Sequence, residues 1–377
     1  MYLHIGAMKT GTSFLQGMLT YNAEPLKEAG LYVVPGRGPA VADLVAGRAE
    51  DLAKREPGSG AWGELVEAAH AFDGRASVLS HEFLSLQGPL RADKIMKDFA
   101  DLDLHVVITV RDATGVLPAQ WQTAARNRGS QTWPEYVATA RDPDTKPRSH
   151  TFLLSQRIGT LVRMWRNRLG PEHVHVVTVP GAGAPREALW ERFASVLEVD
   201  PTTATETQVE SNPSTGYATA HLLCLVHAEA DRRGLPDYET QRLAGFVAAQ
   251  AAVRGDDDTR PPLDRATLKF TAGWNREVIR VLRRSRVDVV GDEDDLPVRP
   301  DLAQERPLLP PDDERLVRAA QGALGSLTAL AEHGQASGSW SSVEQAVGAV
   351  TDAVAAVIAA DGPARLNRRG TAPLEDT

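Results

Sequence analysis

Cysteine is all but missing: Cys224 is the one thiol in 377 residues. No internal disulfide framework can exist, and the composition fits a reducing compartment. Cys224 sits in the apolar run 220–226 and reads as a buried, inert thiol rather than a nucleophile. Basic residues are in deficit, 41 Lys and Arg against 50 Asp and Glu, for a net charge of −9. That excludes the broad positive footprint of general nucleic-acid binding. Also missing is any uninterrupted apolar run near the roughly 20 residues of a membrane span. The stretch from Val343 to Ala360 comes nearest, but Glu344, Gln345 and Asp352 interrupt it. The first residues lack the basic region and apolar core of a signal peptide, so a soluble, cytoplasmic protein is expected. His4, His70, His150, His173, His175, His221, His227 and His333 show no paired ligand spacing. His173 and His175 alternate on a strand and read as structural, and no metal site is expected.

What the chain does have is an alternation of short apolar runs with helix-period segments, the mark of an α/β fold with an open parallel sheet. Strands are expected at Tyr2–Ile5, Leu31–Val34, Ala76–Ser80, Val106–Val110 and Val174–Val179. Helices are expected between them at Gly11–Asn22, Val41–Lys54, Ala61–Phe72, Leu90–Phe99, Thr114–Asn127, Ser155–Asn167 and Arg186–Val196. From about residue 216 the pattern turns helical, with Tyr217–Arg233, Tyr238–Arg254 and Arg265–Arg284. Asp256-Asp257-Asp258 marks an exposed loop, and Gly291–Asp295 an acidic turn. We expect one α/β domain over 1–297 and a helical, partly disordered extension over 298–377, with helices at Asp313–His333 and Val343–Ala360 and disorder beyond Gly362.

The most informative stretch is the first, His4-Ile5-Gly6-Ala7-Met8-Lys9-Thr10-Gly11-Thr12-Ser13. A strand runs into a glycine-bracketed turn and then into a helix. Gly6 and Gly11 allow consecutive N–H groups to converge on one anion, and the helix N-terminus adds its dipole. Lys9 supplies a mobile charge; Thr10, Thr12 and Ser13 supply hydroxyl donors. A nucleotide-hydrolase P-loop reads G-x-x-x-x-G-K-[ST]. Here the two glycines keep that spacing, but Lys9 stands two residues before Gly11, and Thr12 takes the lysine position. No Mg²⁺-binding Lys-Ser/Thr pair remains.

This segment resembles the K-[TS]-G-[TS]-[TS] loop of sulfotransferases. In that P-loop-like superfamily the loop holds the 5′-phosphosulfate of PAPS, 3′-phosphoadenosine 5′-phosphosulfate. The run Arg111-Asp112…Pro118-Ala119-Gln120-Trp121-Gln122 is similar to a bacterial branch of the same family. There the arginine and a serine eight residues on bind the donor's 3′-phosphate. Position 119 is alanine here, so the resemblance assigns Arg111 and leaves Gln120 or Gln122 to replace the serine. Asn212 and Ser214 match a loop that closes over the nucleotide, and they are also ordinary helix caps. The resemblance covers about residues 1 to 297 and implies a PAPS-dependent enzyme that needs no metal.

Sulfuryl transfer to a hydroxyl needs a base. Ser80-His81-Glu82 follows the third strand and brings two candidates to the sheet edge. Related sequences share the glutamate, which favours Glu82, with His81 as its partner or as the base itself. Between Arg111 and Arg168, ten basic and four acidic residues give a local charge of +6 in an acidic chain, able to focus an anion. Trp121, Trp133, Tyr136, Phe152 and Trp165 fall in the same region and suit either an acceptor pocket or a core. The acceptor is expected to be a small molecule or a carbohydrate. The rival readings are a P-loop kinase using Mg-ATP and a non-catalytic nucleotide-binding protein.

Overall fold

The computed structural model describes residues 1–46, 60–181, 183–207, 215–255, 259–331 and 340–360. The expected ligands Asn212 and Ser214, the Asp256–Asp258 loop, the ends of the helices expected to reach Lys54 and His333, and the stretch beyond Gly362 lie outside them. Six strands form one parallel sheet: β1 (Tyr2–His4), β2 (Leu31–Val33), β3 (Ala76–Ser80), β4 (His105–Val110), β5 (Val174–Thr178) and β6 (Asp288–Val290). Their order is β2-β3-β1-β4-β5-β6. The connection after β1 leads to one side of the sheet and the one after β4 to the other. The carboxyl ends of these two neighbours therefore flank the crevice where open α/β sheets bind ligands.

Strand residues alternate between two buried faces. Leu3, Ile5, Leu79, Val106, Ile108 and Val176 pack with Trp62, Ile95, Phe99, Leu161, Trp165 and Leu282. Those partners come from α4 (Gly60–Ala71), α5 (Pro89–Asp98) and its C-cap, α9 (Ile158–Leu169) and α13 (Arg265–Ser285). Tyr2, Val78, Val107 and Val177 face the other way, against Leu15, Met18, Leu19, Trp190 and Phe193. These come from α1 (Thr12–Tyr21) and α10 (Glu187–Val196), with α2 (Ala23–Glu28) and α3 (Arg37–Ala46) following α1 and β2. Both faces are covered, which is why the strands read as near-continuous apolar runs.

The helical half is built on two further cores. α6 (Ala113–Arg126), α7 (Trp133–Arg141) and α8 (Thr151–Ser155) pack Trp121, Trp133, Tyr136 and Phe152 against Tyr217 and Cys224 of α11 (Tyr217–Arg233). The opposite side of α11 joins α12 (Asp237–Arg254), α14 (Asp313–Ala331) and α15 (Val343–Ala359) around Leu223, Leu243, Leu327 and Val350. Helices from both sides of residue 297 thus share one apolar core. Among the described residues no helix is long and apolar enough to cross a membrane. Cys224 is buried and its thiol is pushed up to about 12, chiefly by desolvation, so it is inert near neutrality.

Two elements depart from the sequence reading. Asp288–Val290, to which the sequence reading assigns no strand, is an edge strand whose residues pair with His175 to Val177. The segment expected as one helix from Ser155 is split into α8 and α9, with Gln156 and Arg157 between them. Neither departure has a strong local signal, since the strand is three residues long and gains its partner from β5.

Beneath the first loop runs a buried polar chain. Ser80 Oγ lies 2.7 Å from His4 Nδ1, His4 Nε2 lies 3.2 Å from Thr109 Oγ1, and Thr109 Oγ1 lies 2.5 Å from Thr10 Oγ1. Thr10 Oγ1 donates to the Ala7 carbonyl at 2.6 Å. With that proton committed, Thr109 donates to Thr10, His4 donates from Nε2 to Thr109, and Ser80 donates to Nδ1. The order requires neutral His4, and burial pushes its pKa down to about 3. Because the folded pKa lies below the unfolded value near 6.5, the contribution is complete above pH 6.5 and is lost as pH falls toward 3. His227 behaves alike, pushed down to about 4 by burial. Urea-unfolding free energy should therefore decline below pH 6.5, by about 1.4 kcal/mol per pH unit for each such group. His4→Asn should flatten that slope; an unchanged slope would mean that His4 accepts a proton in the native state.

Candidate anion-binding site

The loop after β1 is held to β4 beyond the end of the regular strand. Ile5 and Ala7 donate to the Val107 and Thr109 carbonyls at 3.0 Å each, and Thr109 donates to the Gly6 carbonyl at 2.8 Å. Gly6 and Gly11 take φ of +85° and +83°, and Lys9 itself sits at +63°. A non-glycine residue in that region carries strain of roughly 1–2 kcal/mol, which the surrounding bonds must hold in place. No side chain caps α1, whose N-cap is Gly11. Among the described residues none of the N–H groups from Met8 to Gly11 donates to a backbone carbonyl. A ring of free donors at a helix N-terminus is an anion cradle.

Glu82 meets this loop directly. A Cβ on Gly6 would lie 3.1 Å from Glu82 Cβ and 3.2 Å from its Cα, so only glycine lets the two segments approach this closely. Glu82 opens a 3₁₀ turn over Glu82–Leu86. Gln16 of α1 donates from Nε2 to Glu82 Oε2 at 2.8 Å, and Ser85 Oγ donates to the Glu82 carbonyl at 2.7 Å. Arg157 fastens the far end of the turn, donating to the Ser85 and Gln87 carbonyls at 3.0 Å each. His81 caps the same turn: its Nδ1 accepts from the Phe83 N–H at 3.2 Å. That lone pair is committed, and burial, first among the causes, lowers the pKa of His81. The imidazole is thus the neutral Nε2–H tautomer with no free base nitrogen.

The charge around the loop is lopsided. Lys9 is pushed down to about 8, first by burial and then by Arg126, with Glu82 opposing. Arg126 sits at the end of α6, its pKa lowered by desolvation. Arg37 feels Glu82 and donates to Thr20 Oγ1 at 3.0 Å. Arg111 follows β4 with its guanidinium packed over Gly115, where a Cβ would meet Nη2 at 3.4 Å. Crowding by the surrounding protein lowers its pKa most, the neighbouring Asp112 opposes, and Arg260 adds a further lowering. Among the described residues, no ion pair within 4.0 Å involves Lys9, Arg111 or Arg126. Two pairs of like charges, Lys9 with Arg126 and Arg111 with Arg260, are what an anion would neutralise.

Other expected residues serve the scaffold. The Thr10 hydroxyl is fully buried in the polar chain and does not reach the cradle, though its N–H belongs to it. Thr12 and Ser13 form the first turn of α1, with Ser13 exposed. Gln120 is 2% exposed and donates to Ser155 Oγ. Gln122 is likewise committed, to the Thr215 carbonyl. Asp112 caps α6 by accepting from the Thr114 N–H at 2.9 Å and also accepts from Asn275 Nδ2 at 2.7 Å. Trp121, Trp133, Tyr136, Phe152 and Trp165 are all buried and pack in apolar cores. Within the basic block, Arg128, Arg141 and Arg168 are paired with acids, and Arg111 and Arg126 carry its charge to the site.

Compared with protein-family models, with curated proteins and with solved structures, the chain gives no match. The site therefore rests on its own geometry. Gln16, Arg37 and Arg260 were not singled out from the sequence, and Arg126 and Arg157 entered only as members of the basic block between Arg111 and Arg168. Gln16 had a signal, since it stands one turn beyond Thr12 on the same helix face. Arg260 had none.

The Gly6–Glu82 contact is testable by stability. Gly6→Ala combines positive φ with a crowded Cβ, whereas Gly36, at φ +71°, has open space around it. Gly36→Ala should lose roughly 1–2 kcal/mol for the backbone alone. Gly6→Ala should lose clearly more, read by urea denaturation. Equal losses would mean that the loop and the Glu82 turn do not touch.

Proposed function

We propose that the chain is a sulfotransferase of P-loop-like fold, moving a sulfuryl group from PAPS to the hydroxyl of a small molecule or carbohydrate. The observation that carries this reading is one carboxylate, Glu82, held against a lysine-bearing anion cradle at Gly6. Lys9 and the loop N–H groups take the 5′-phosphosulfate, with Arg126 beside Lys9. Arg111 and Arg260 take the donor's 3′-phosphate. Arg260 thus supplies the second cation that the alanine at position 119 leaves wanting.

Glu82 accepts the acceptor's hydroxyl proton as that oxygen bonds to sulfur. The bond from sulfur to the phosphate oxygen breaks with its electron pair remaining on the phosphate. Lys9 and the N–H groups stabilise the charge that appears there, an effect of about 3–4 kcal/mol for one well-placed donor. The products are the sulfate ester, 3′-phosphoadenosine 5′-phosphate (PAP) and a protonated Glu82. Gln16 orients the carboxylate and Arg157 fixes the turn that carries it.

The kinase reading is weaker on two counts. The loop has no lysine-hydroxyl pair at the helix start, and Asp112, the acid at the end of β4, is committed as a helix cap. A non-catalytic nucleotide-binding role would leave the Gln16–Glu82–Gly6 arrangement without a use.

Calorimetry with PAP, PAPS and Mg-ATP separates the three readings. PAP should bind without Mg²⁺, and tight Mg-ATP binding without PAP binding would overturn the proposal. PAP affinity should also weaken from pH 7 to above pH 9, because Lys9 is pushed down to about 8 and loses its charge there. Glu82→Gln keeps shape and hydrogen bonding but removes the base, so turnover of an alkyl alcohol should fall roughly 10²–10⁴-fold with PAP affinity unchanged. His81→Asn should cost far less activity, and the reverse pattern would make histidine the base. Arg111→Ala should weaken PAP far more than adenosine 5′-phosphosulfate, which lacks the 3′-phosphate.

A further inference from the structure

At the opposite, amino-terminal edge of the sheet, strand pairing gathers residues that are far apart in the chain. Asp103 precedes β4, His105 begins it, His173 precedes β5, His175 lies within β5, and Asp288 begins β6. One ligand atom from each of Asp103, His105 and His173 lies within 4.8 Å of the others. Asp103 Oδ2 is 3.1 Å from His105 Nε2, and Asp103 Oδ1 is 2.8 Å from His173 Nε2. The row continues across the sheet to the edge strand, with His105 Nδ1 2.9 Å from His175 Nε2 and His175 Nδ1 2.8 Å from Asp288 Oδ2.

Counting protons along the row exposes a deficit. Three contacts join Asp103, His105, His175 and Asp288, and each needs one hydrogen. Two neutral imidazoles carry two. Either an imidazole takes on an extra proton, or one contact lacks its hydrogen, or a cation replaces the hydrogen between Asp103 and His105. A cation also accounts for the second imidazole, His173, which meets the other oxygen of the same Asp103 carboxylate. With a cation on His105 Nε2, its Nδ1–H donates to His175 Nε2, and His175 Nδ1–H donates to Asp288. Every bond in the row is then made. Metal-binding histidines are oriented by such outer carboxylates and histidines. His173 fits the same scheme: its Nδ1 is buried without a hydrogen bond and lies 3.4 Å from Glu172 Oε1, ready to be the N–H when Nε2 binds.

We propose that Asp103, His105 and His173 form a binding site for a divalent transition metal of the zinc class, with His175 and Asp288 as the outer partners of His105. Two imidazoles and a carboxylate are the donor set of such ions. Zn–N distances near 2.0–2.1 Å put tetrahedral ligand atoms about 3.4 Å apart, so the existing 2.8 and 3.1 Å contacts need little rearrangement. Asp103 is exposed, which leaves an entry path and room for water as the remaining ligand. The site ties the approaches to β4 and β5 together at the end of the sheet away from the anion cradle, so it plays no part in the chemistry proposed above. It also replaces the sequence expectation that no metal site exists and that His173 is merely structural.

The test uses the untagged full chain, stripped with chelator and then titrated with ZnCl₂. One equivalent should remain after gel filtration, measured by elemental analysis, and the melting temperature should rise with zinc. His173→Ala and Asp103→Asn should each abolish retention, whereas His70→Ala, outside the cluster, should retain it. His175→Gln should keep the stoichiometry and weaken affinity roughly 10–100-fold. Circular dichroism establishes that each variant is folded; should His173→Ala unfold, Asp103→Asn, which changes an exposed group by one atom, decides. CoCl₂ should give the visible spectrum of nitrogen- and oxygen-bound cobalt in the wild type alone. Wild type that retains no zinc, or folded Asp103→Asn that retains as much as wild type, overturns the proposal.

Discussion

The arrangement depends on a buried line of protons. Ser80, His4, Thr109 and Thr10 belong to three neighbouring strands and the loop, and they pass hydrogen bonds in one direction to the Ala7 carbonyl. Inside a sheet that is apolar on both faces, each of these groups would be costly if left unpaired. Satisfied, they fix the register of β3, β1 and β4 together and hold the loop at the height where its N–H groups stay free. A fully satisfied buried network is worth more than its separate bonds suggest, and it specifies a single geometry.

Above that line the chain accepts strain and uncompensated charge. Lys9 sits in the left-handed region, and its charge lies beside Arg126 with Glu82 opposing. Arg111 lies near a second arginine. A structure selected for stability alone would place acids against these groups, as it does for Arg128, Arg141 and Arg168 on the surface. The contrast within one basic block sets the arginines paired with acids apart from Arg111 and Arg126, which have no acidic partner within 4.0 Å among the described residues.

The helical half supports the site and sets Arg126 beside Lys9. Asn275 of α13 accepts from the Ala113 N–H at 3.0 Å and donates to Asp112 and to the Pro297 carbonyl, locking the segment that carries Arg111. Arg157, between α8 and α9, grips the turn that carries Glu82. Gln156 donates to the Met8 carbonyl at 2.8 Å, holding the cradle from the third side. α11 faces two cores, so the helices at 313–359 are joined to the site through one continuous packing path.

By itself the sequence determined five of the six strands, the turn with its two glycines and Lys9, and the placing of Glu82 and Arg111 just after strand ends, because each is written in consecutive residues: apolar runs, a glycine turn, a charge at a strand end. It also identified the reason Cys224 is inert, its apolar surroundings. Only the tertiary structure decided what depends on partners from elsewhere in the chain. It turned the Thr10 hydroxyl and Gln120 inward, spent the free nitrogen of His81 on a cap, and made β6 a strand by lending it β5. It brought Gln16, Arg126, Arg157 and Arg260 to the site. At the opposite edge it set His105 beside His173, which no linear spacing could show. Hydrogen-bond partners and neighbouring charges are properties of proximity in space, and proximity is settled only when the sheet assembles.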